Sequence, residues 1–234
     1  MAENRNPRSL QPKRAIAVPQ AESKLPPRPQ SRPGGGTQVV KRGFDFFGAL
    51  LGLVIVSPLL LIVAILIKLT SPGPVLFRQE RVGRGFRRFD ILKFRTMVAD
   101  APKLGGQLTA GKDPRITPIG RALRLTKLDE LPQLINVLRG DMSFVGPRPE
   151  VPRYVEMFRT DFEELLTVRP GITDLASIKY RHEADILGES EDPEMTYITR
   201  ILPDKIALAK HYIRHSSLWL DLRLLFKTVV RIAR

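Results

Sequence analysis

Between Phe46 and Ile67 the chain carries no ionisable residue. As a straight helix these twenty-two residues measure roughly 33 Å, enough to cross the hydrocarbon core of a bilayer. A single crossing is the default reading, but two features of the same stretch oppose it. Ser57-Pro58 falls near its midpoint, where proline kinks a helix. Each half then measures roughly 15–18 Å, about one leaflet. Both flanks are also basic, with Lys41 and Arg42 before the run and Lys68, Arg78 and Arg81 after it. That bias keeps both ends on the cytoplasmic side. A helix–break–helix that enters one leaflet and returns satisfies both facts. The Ser57 hydroxyl can take up the carbonyl freed at the break.

Residues 1–40 read as a disordered tail, rich in Pro, Arg, Gln and Ser with Gly34-Gly35-Gly36 near its end. Arg5, Arg8, Lys13, Arg14, Lys24, Arg28 and Arg32 face only Glu3 and Glu22, so the tail suits either anionic headgroups or a plain solvated linker. It is too long for the charged region of a signal peptide, and no small-residue cleavage site follows the apolar run. Net charge is +14 and the isoelectric point about 10.5, which favours polyanions or phosphorylated substrates. Cysteine is absent, which removes disulfides and thiolate metal sites and fits a reducing compartment.

The chemistry concentrates in Lys127-Leu128-Asp129-Glu130-Leu131-Pro132-Gln133. Pro132 is tolerated only in a first helical turn, so a helix starts near Leu128 to Leu131. Thr126 and Asp129 read as a capping box. Asp129 and Glu130 then lie at the positive end of a helix dipole and are expected to stay ionised. As an isolated pattern this is a favourable helix start and no more. The surroundings argue otherwise. Arg121 and Arg124 precede the pair, and Arg148 follows between two prolines in Gly146-Pro147-Arg148-Pro149-Glu150. A guanidinium on stiff backbone loses little entropy when it grips a phosphate. Carboxylates within a ring of arginines suit phosphoryl transfer.

Leu128 to Leu134, with Asn136-Val137-Leu138-Arg139-Gly140-Asp141-Met142-Ser143 and Gly146-Pro147-Arg148-Pro149, resembles the monotopic phosphoglycosyl transferases, the bacterial sugar transferases that begin surface-glycan synthesis. The resemblance runs from about Lys41 to the C-terminus and rests on several spaced blocks in the same order. It implies an α/β fold, predominantly helical: a small cytosolic catalytic domain (residues 70–234) on a re-entrant membrane hairpin (residues 41–69) bent at Ser57 and Pro58, with interfacial amphipathic helices. It implies transfer of a phosphosugar from a nucleotide diphosphate sugar, UDP by expectation, to polyprenyl phosphate. Asp129 would be the nucleophile, and Glu130 with Asp129 would hold Mg²⁺. Lys93, Arg95, Arg124 and Arg148 would bind phosphates, the first two from the matching Lys93-Phe94-Arg95 block. The location implied is the cytoplasmic face of the bacterial inner membrane, beside anionic lipids. Downstream glycosyltransferases and a homodimer are further candidate partners. The chain departs from the family at Lys127, where Ser is usual, in the Gly83-Arg84-Gly85 loop, and after Arg169-Pro170-Gly171-Ile172-Thr173, where Asp174 to Arg181 replaces Gly-Leu-Ala-Gln-Val. The last departure weakens any transfer of sugar specificity.

Other segments are read more simply. Val75 to Phe77 and Phe89 to Phe94 are short extended pieces around a basic turn. Asp113 to Pro118 leads into a helix near Ile119, and Arg153 to Val168 is a helix with Tyr154, Phe158, Phe162 and Leu165 in the core. Arg169 to Thr173 reads as a type II turn and Glu183 to Glu194 as a solvated loop. Asp204 to His215 is a helix, and Leu218 to Lys227 is either interfacial or buried. Gly106 to Lys112 imitates a phosphate loop, but Asp113 stands where Ser or Thr is required. His182, His211 and His215 form no zinc-like set. A nucleic-acid-binding protein fits the charge but not the apolar run, and no recognition motif for nucleic acid is present. A single-span scaffold fits the hydropathy but leaves the acidic–arginine constellation idle.

Overall fold

A computed structural model describes residues 35–106 and 108–233. Helix α1 (Gly35–Thr70) is followed by hairpin strands β1 (Leu76–Val82) and β2 (Arg88–Phe94), then α2 (Ala101–Leu104), α3 (Pro118–Leu125) and α4 (Gln133–Arg139). Next come β3 (Ser143–Val145), α5 (Pro152–Met157), α6 (Arg159–Leu165) and β4 (Gly171–Thr173). Helices α7 (Leu175–Lys179), α8 (Glu183–Gly188), α9 (Pro193–Thr196), α10 (Leu202–His215) and α11 (Leu218–Ala233) complete the chain. The described residues are predominantly helical. Their strands form two small sheets, β1–β2 antiparallel and β3–β4 parallel.

Most of the tail expected over residues 1–40 lies outside the described residues, but from Gly35 the chain is already helical. The apolar segment is one continuous helix, not two helices with an unwound joint, and Pro58 lies inside it. Proline has no N–H to donate to the carbonyl of Val54, four residues earlier. The Ser57 hydroxyl takes that role, donating to Val54 O at 2.8 Å. One side of α1 faces the rest of the protein along nearly its whole length. Ala49, Leu53 and Val56 pack with Leu134, Val137 and Met142, while Leu60, Val63 and Ile67 pack with Phe94, Leu123 and Leu128. The opposite side exposes Phe47, Leu51, Ile55, Ile62, Ile65 and Leu69.

Two segments differ from the sequence-based expectation. Gly171–Thr173 is a strand beside β3, not the end of a type II turn. The pairing depends on glycine, because a Cβ on Gly171 would come within 2.1 Å of the Gly146 nitrogen. Glu183 to Glu194 is largely helical, not a loop. Its acidic residues hide Leu187, which is buried in the main core with Tyr154, Phe162 and Ile201. The helix expected over Arg153–Val168 is broken at Phe158 into α5 and α6. Helix α11 has a buried side and an exposed one: Asp221 and Leu224 are buried, while Trp219, Leu222, Phe226 and Val229 form an exposed stripe at spacings of three and four.

Candidate active site

The acidic pair sits where β2, α3 and α4 converge. Helix α3 starts cleanly, with the Thr117 side chain accepting from Gly120 N at 3.0 Å. Thr126 closes it, donating its hydroxyl to the Ala122 carbonyl at 2.9 Å. Thr126 therefore takes no part in the capping box expected with Asp129. Lys127 follows with φ at +57°, a left-handed conformation that costs roughly 1–2 kcal/mol outside glycine. This reversal throws Leu128–Glu130 into a single 3-10 turn, and Pro132 then precedes the first residue of α4. The carboxylates thus lie on a tight turn before the helix, not in its first turn.

Asn136 fixes this turn against β2. Its amide donates to Asp90 O at 2.8 Å and accepts from Leu92 N at 3.0 Å, as a neighbouring strand would. Lys93 is thereby set with Nζ 2.8 Å from Glu130 Oε1. Arg148 reaches the same carboxylate from the other side, with Nη1 3.3 Å from Oε2 and Nη2 on Oε1. Burial alone would raise the Glu130 pKa, but Arg148 and Lys93 outweigh it and hold the group well below the usual carboxylate range. Asp129 is different. Burial, and next the charge of Glu130, push its pKa up, against Lys93, Lys127 and Arg124. The expectation that a helix dipole keeps both carboxylates low is corrected for Asp129, because the pair stands outside the helix and Asp129 is buried. Among the described residues its Oδ1 has no hydrogen-bond partner, nor does either amide atom of fully buried Gln133. Buried polar atoms without partners are rare in native folds and mark a place prepared for something further.

Arg124 stands beside Asp129 and, among the described residues, spends its side chain on neutral hydroxyls, Thr96 Oγ1 at 2.9 Å and Thr109 Oγ1 at 3.3 Å. It remains suited to a phosphate. Arg121 is exposed on α3. Arg95 does not join the site. Its Nη1 donates to Pro72 O at 2.8 Å, and its Nη2 to Ser71 O at 2.8 Å and Ser71 Oγ at 2.6 Å. Residues two apart on a strand share a face, but β2 ends at Phe94, so Lys93 faces Glu130 while Arg95 leaves the strand and clamps the turn after α1. Its expected phosphate contact is therefore corrected to a structural one.

Arg148 is held rigidly by residues for which the sequence suggested no role. Its backbone N–H donates to Asp174 Oδ2 at 3.1 Å. Behind it, Glu150 accepts from Tyr197 at 2.6 Å and from Arg81 at 3.4 Å, while Arg81 also donates to Pro149 O at 3.1 Å. Glu150 was visible beside the double-proline motif. Tyr197 lies forty-seven residues further on and carried no signal.

The sequence model for bacterial sugar transferases matches residues 36–234. The chain belongs to the bacterial sugar transferase family. This member is 42% identical over 193 residues to the UDP-N-acetylgalactosamine-undecaprenyl-phosphate N-acetylgalactosaminephosphotransferase of Aeromonas hydrophila, covering 81% of this chain and 43% of that protein. It is 40% identical over 202 residues to the UDP-glucose:undecaprenyl-phosphate glucose-1-phosphate transferase of Escherichia coli K12, covering 84% and 41%. It is 40% identical over 199 residues to the exopolysaccharide production protein PSS of Rhizobium leguminosarum bv. phaseoli, covering 82% and 94%. The chain thus spans less than half the length of the first two relatives and nearly all of the third.

Proposed function

We propose that this protein transfers a phosphosugar from a nucleotide diphosphate sugar to polyprenyl phosphate, in two steps through Asp129. The observation that carries this reading is the partnerless, buried Oδ1 of Asp129 within reach of the fields of Lys93, Lys127 and Arg124. An Asp129 oxygen attacks the sugar-bearing phosphorus, and the phosphorus–oxygen bond to the nucleoside monophosphate breaks, releasing that group. An oxygen of polyprenyl phosphate then attacks the same phosphorus and expels the Asp129 carboxylate. Both substrates are anions, and the two steps let each enter a site already furnished with cations. Arg124 and Arg148 orient the phosphates, and Lys93 keeps Glu130 ionised in place.

Asp129 fits Mg²⁺ of the kind bound by one or two carboxylates together with substrate phosphates, and Glu130 would join it only by releasing an oxygen from Arg148 or Lys93. The unpartnered Oδ1 of Asp129 is available to a cation, and no group of three or more metal-binding side chains exists among the described residues to suit a fully protein-held ion. Such an ion would screen the diphosphate charge.

The site is proposed to lie at the cytoplasmic surface of the inner membrane, with α1 bending at Ser57-Pro58, without unwinding, so that it enters one leaflet and returns. Helix α1 alone among the described helices is long and apolar enough to cross a bilayer, and only 11% of its most apolar window is buried. Its protein-facing stripe runs from Asp45 to Ile67, roughly 33 Å of a straight helix. A perpendicular crossing would carry charged elements packed along that stripe into hydrocarbon, which supports an entry that does not span. Anionic lipids are the proposed neighbours.

The relatives differ in the sugar they are named for, at nearly equal identity, so the sugar is read from experiment. A panel of nucleotide sugars given without lipid acceptor tests the whole reading. The correct donor should yield up to one equivalent of nucleoside monophosphate and add one phosphosugar to the peptide containing Asp129. Release only when polyprenyl phosphate is present, with no adduct trapped, would replace the two-step path by direct transfer.

A further inference from the structure

A second cleft lies at the far end of α4 from Asp129. It has a cavity volume of about 70 Å³ and lies between the start of α1, the tip of the β1–β2 hairpin and the α10–α11 junction. Arg42, Asp45, Arg84, Arg169, Tyr212 and Asp221 are among its lining residues. Its two carboxylates are already committed. Asp45 accepts from Ser143 Oγ and from Phe144 N, each at 3.1 Å, and Asp221 accepts from Tyr212 at 2.6 Å and from Lys41. The arginines are only partly satisfied, and by neutral groups. Arg42 caps the end of α4 at the Val137 and Leu138 carbonyls, 2.7 and 2.8 Å away, and Arg169 Nε donates to Gly140 O at 2.9 Å. Carbonyls satisfy donors but do not neutralise charge. Burial, and next the guanidiniums of Arg84 and Arg42, lower the Arg169 pKa, with only Asp45 opposing. Three like charges therefore converge in a partly desolvated cleft whose acids are engaged elsewhere, an arrangement that an anion relieves.

The surroundings identify the kind of anion. Asp45 is the last charged residue before the uncharged run of α1, so the cleft stands at its threshold. Exposed Phe44, Phe46 and Phe47 flank it on α1, and exposed Trp219 and Leu222 on α11. Trp219 is of the kind that settles at the level of lipid headgroups, and the phenylalanines and Leu222 add apolar surface beside it. Eleven residues of helix and turn separate Gly140 from Asp129, about 16 Å at helical rise, so a phosphate in this cleft is not the reacting one.

We propose that the cleft binds the phosphate headgroup of an anionic membrane glycerophospholipid, whose chains lie along the exposed faces of α1 and α11. This rests on the membrane seating of α1 proposed above. It adds a defined lipid site that holds the start of α1 and the α10–α11 junction at one depth.

The test is flotation of the full-length protein with vesicles of phosphatidylcholine alone and of phosphatidylcholine mixed with phosphatidylglycerol. The protein should float with both and prefer the mixture. Arg84→Gln should reduce that preference about fivefold, as expected for one cation at a lipid surface. Arg78→Gln, at an exposed arginine of the same hairpin that does not line the cleft, should leave the preference unchanged, and Arg84→Gln should leave nucleoside monophosphate release intact. Equal effects of the two substitutions, or none from Arg84→Gln, would overturn the site. Binding of glycerol 3-phosphate that Arg84→Gln abolishes, with the vesicle preference of the wild type unchanged when it is added, would mean that the cleft takes a free phosphate and not a lipid. Failure to float with either vesicle would remove the membrane seating, and the lipid site with it, whereas flotation without preference removes the site alone.

Discussion

Arg148 grips both oxygens of Glu130, while the adjacent carboxylate, Asp129, keeps an oxygen that nothing holds. One residue of the pair is locked and the other is left available, which divides their labour before any substrate arrives.

Truncating Arg148 should harm stability as well as turnover. Arg148→Ala leaves Glu130 buried with Lys93 alone, a change worth about 3 kcal/mol or more for a mostly buried pair. For a chain of this size that lowers Tm by roughly 6–12 °C, readable by thermal unfolding in detergent. Arg148→Lys keeps the charge but loses the two-pronged grip, so its Tm should recover further than its rate of nucleoside monophosphate release.

Asp129→Asn and Glu130→Gln should separate cleanly. Asp129→Asn removes the nucleophile and should slow the first half-reaction by at least about a thousandfold. Because burial disfavours the Asp129 charge, the same substitution should leave Tm unchanged or raise it. Glu130→Gln breaks two ion pairs and should lower Tm. Its residual turnover should rise with added Mg²⁺, while wild type should stop in excess chelator and recover on Mg²⁺ addition. A wild type fully active in chelator would remove the metal.

Arg95→Ala should behave as a structural lesion. It removes three hydrogen bonds to the turn after α1, each of a charged donor, at a combined cost of about 3 kcal/mol or more. Gly73→Ala should reproduce it, since a Cβ there would come within 2.3 Å of Arg95 Nη1 and Gly73 holds φ at +113°. Both should lower Tm and leave the donor KM of the folded fraction unchanged. A selective rise in KM for Arg95→Ala would return that residue to the phosphate site.

Ser57 and Pro58 should be coupled. Ser57→Ala leaves the Val54 carbonyl without its donor, which costs about 1–3 kcal/mol where no water can replace it. Pro58→Ala restores a backbone N–H to the same carbonyl. The double variant should therefore be more stable than the sum of the single changes, by about 1 kcal/mol in a thermal double-mutant cycle. Since the chain lacks cysteine, single cysteines introduced at positions 40 and 200 can also be labelled from one side at a time. Opposite-side labelling would exclude a helix that enters and returns.

The sequence by itself determined the apolar run, the Ser57-Pro58 pair within it, the acidic pair and Arg148 between prolines. Each is a local statement about charge, hydropathy or φ, and such statements survive in any fold. The Ser57–Val54 hydrogen bond was legible for the same reason, since proline always frees the carbonyl four residues earlier. Tertiary structure decided what distance along the chain conceals. Lys93 and Arg95 read alike in sequence, yet Asn136 holds the strand where Lys93 meets Glu130, while Arg95 falls past the strand's end and clamps a turn. The strand at Gly171 exists only because Gly146, twenty-five residues earlier, lets two backbones touch. The states of the two carboxylates were decided there as well. Glu130 is held low by partners thirty-seven residues before it and eighteen after, whereas Asp129 is raised by burial, a property of the packed chain and not of any residue within it.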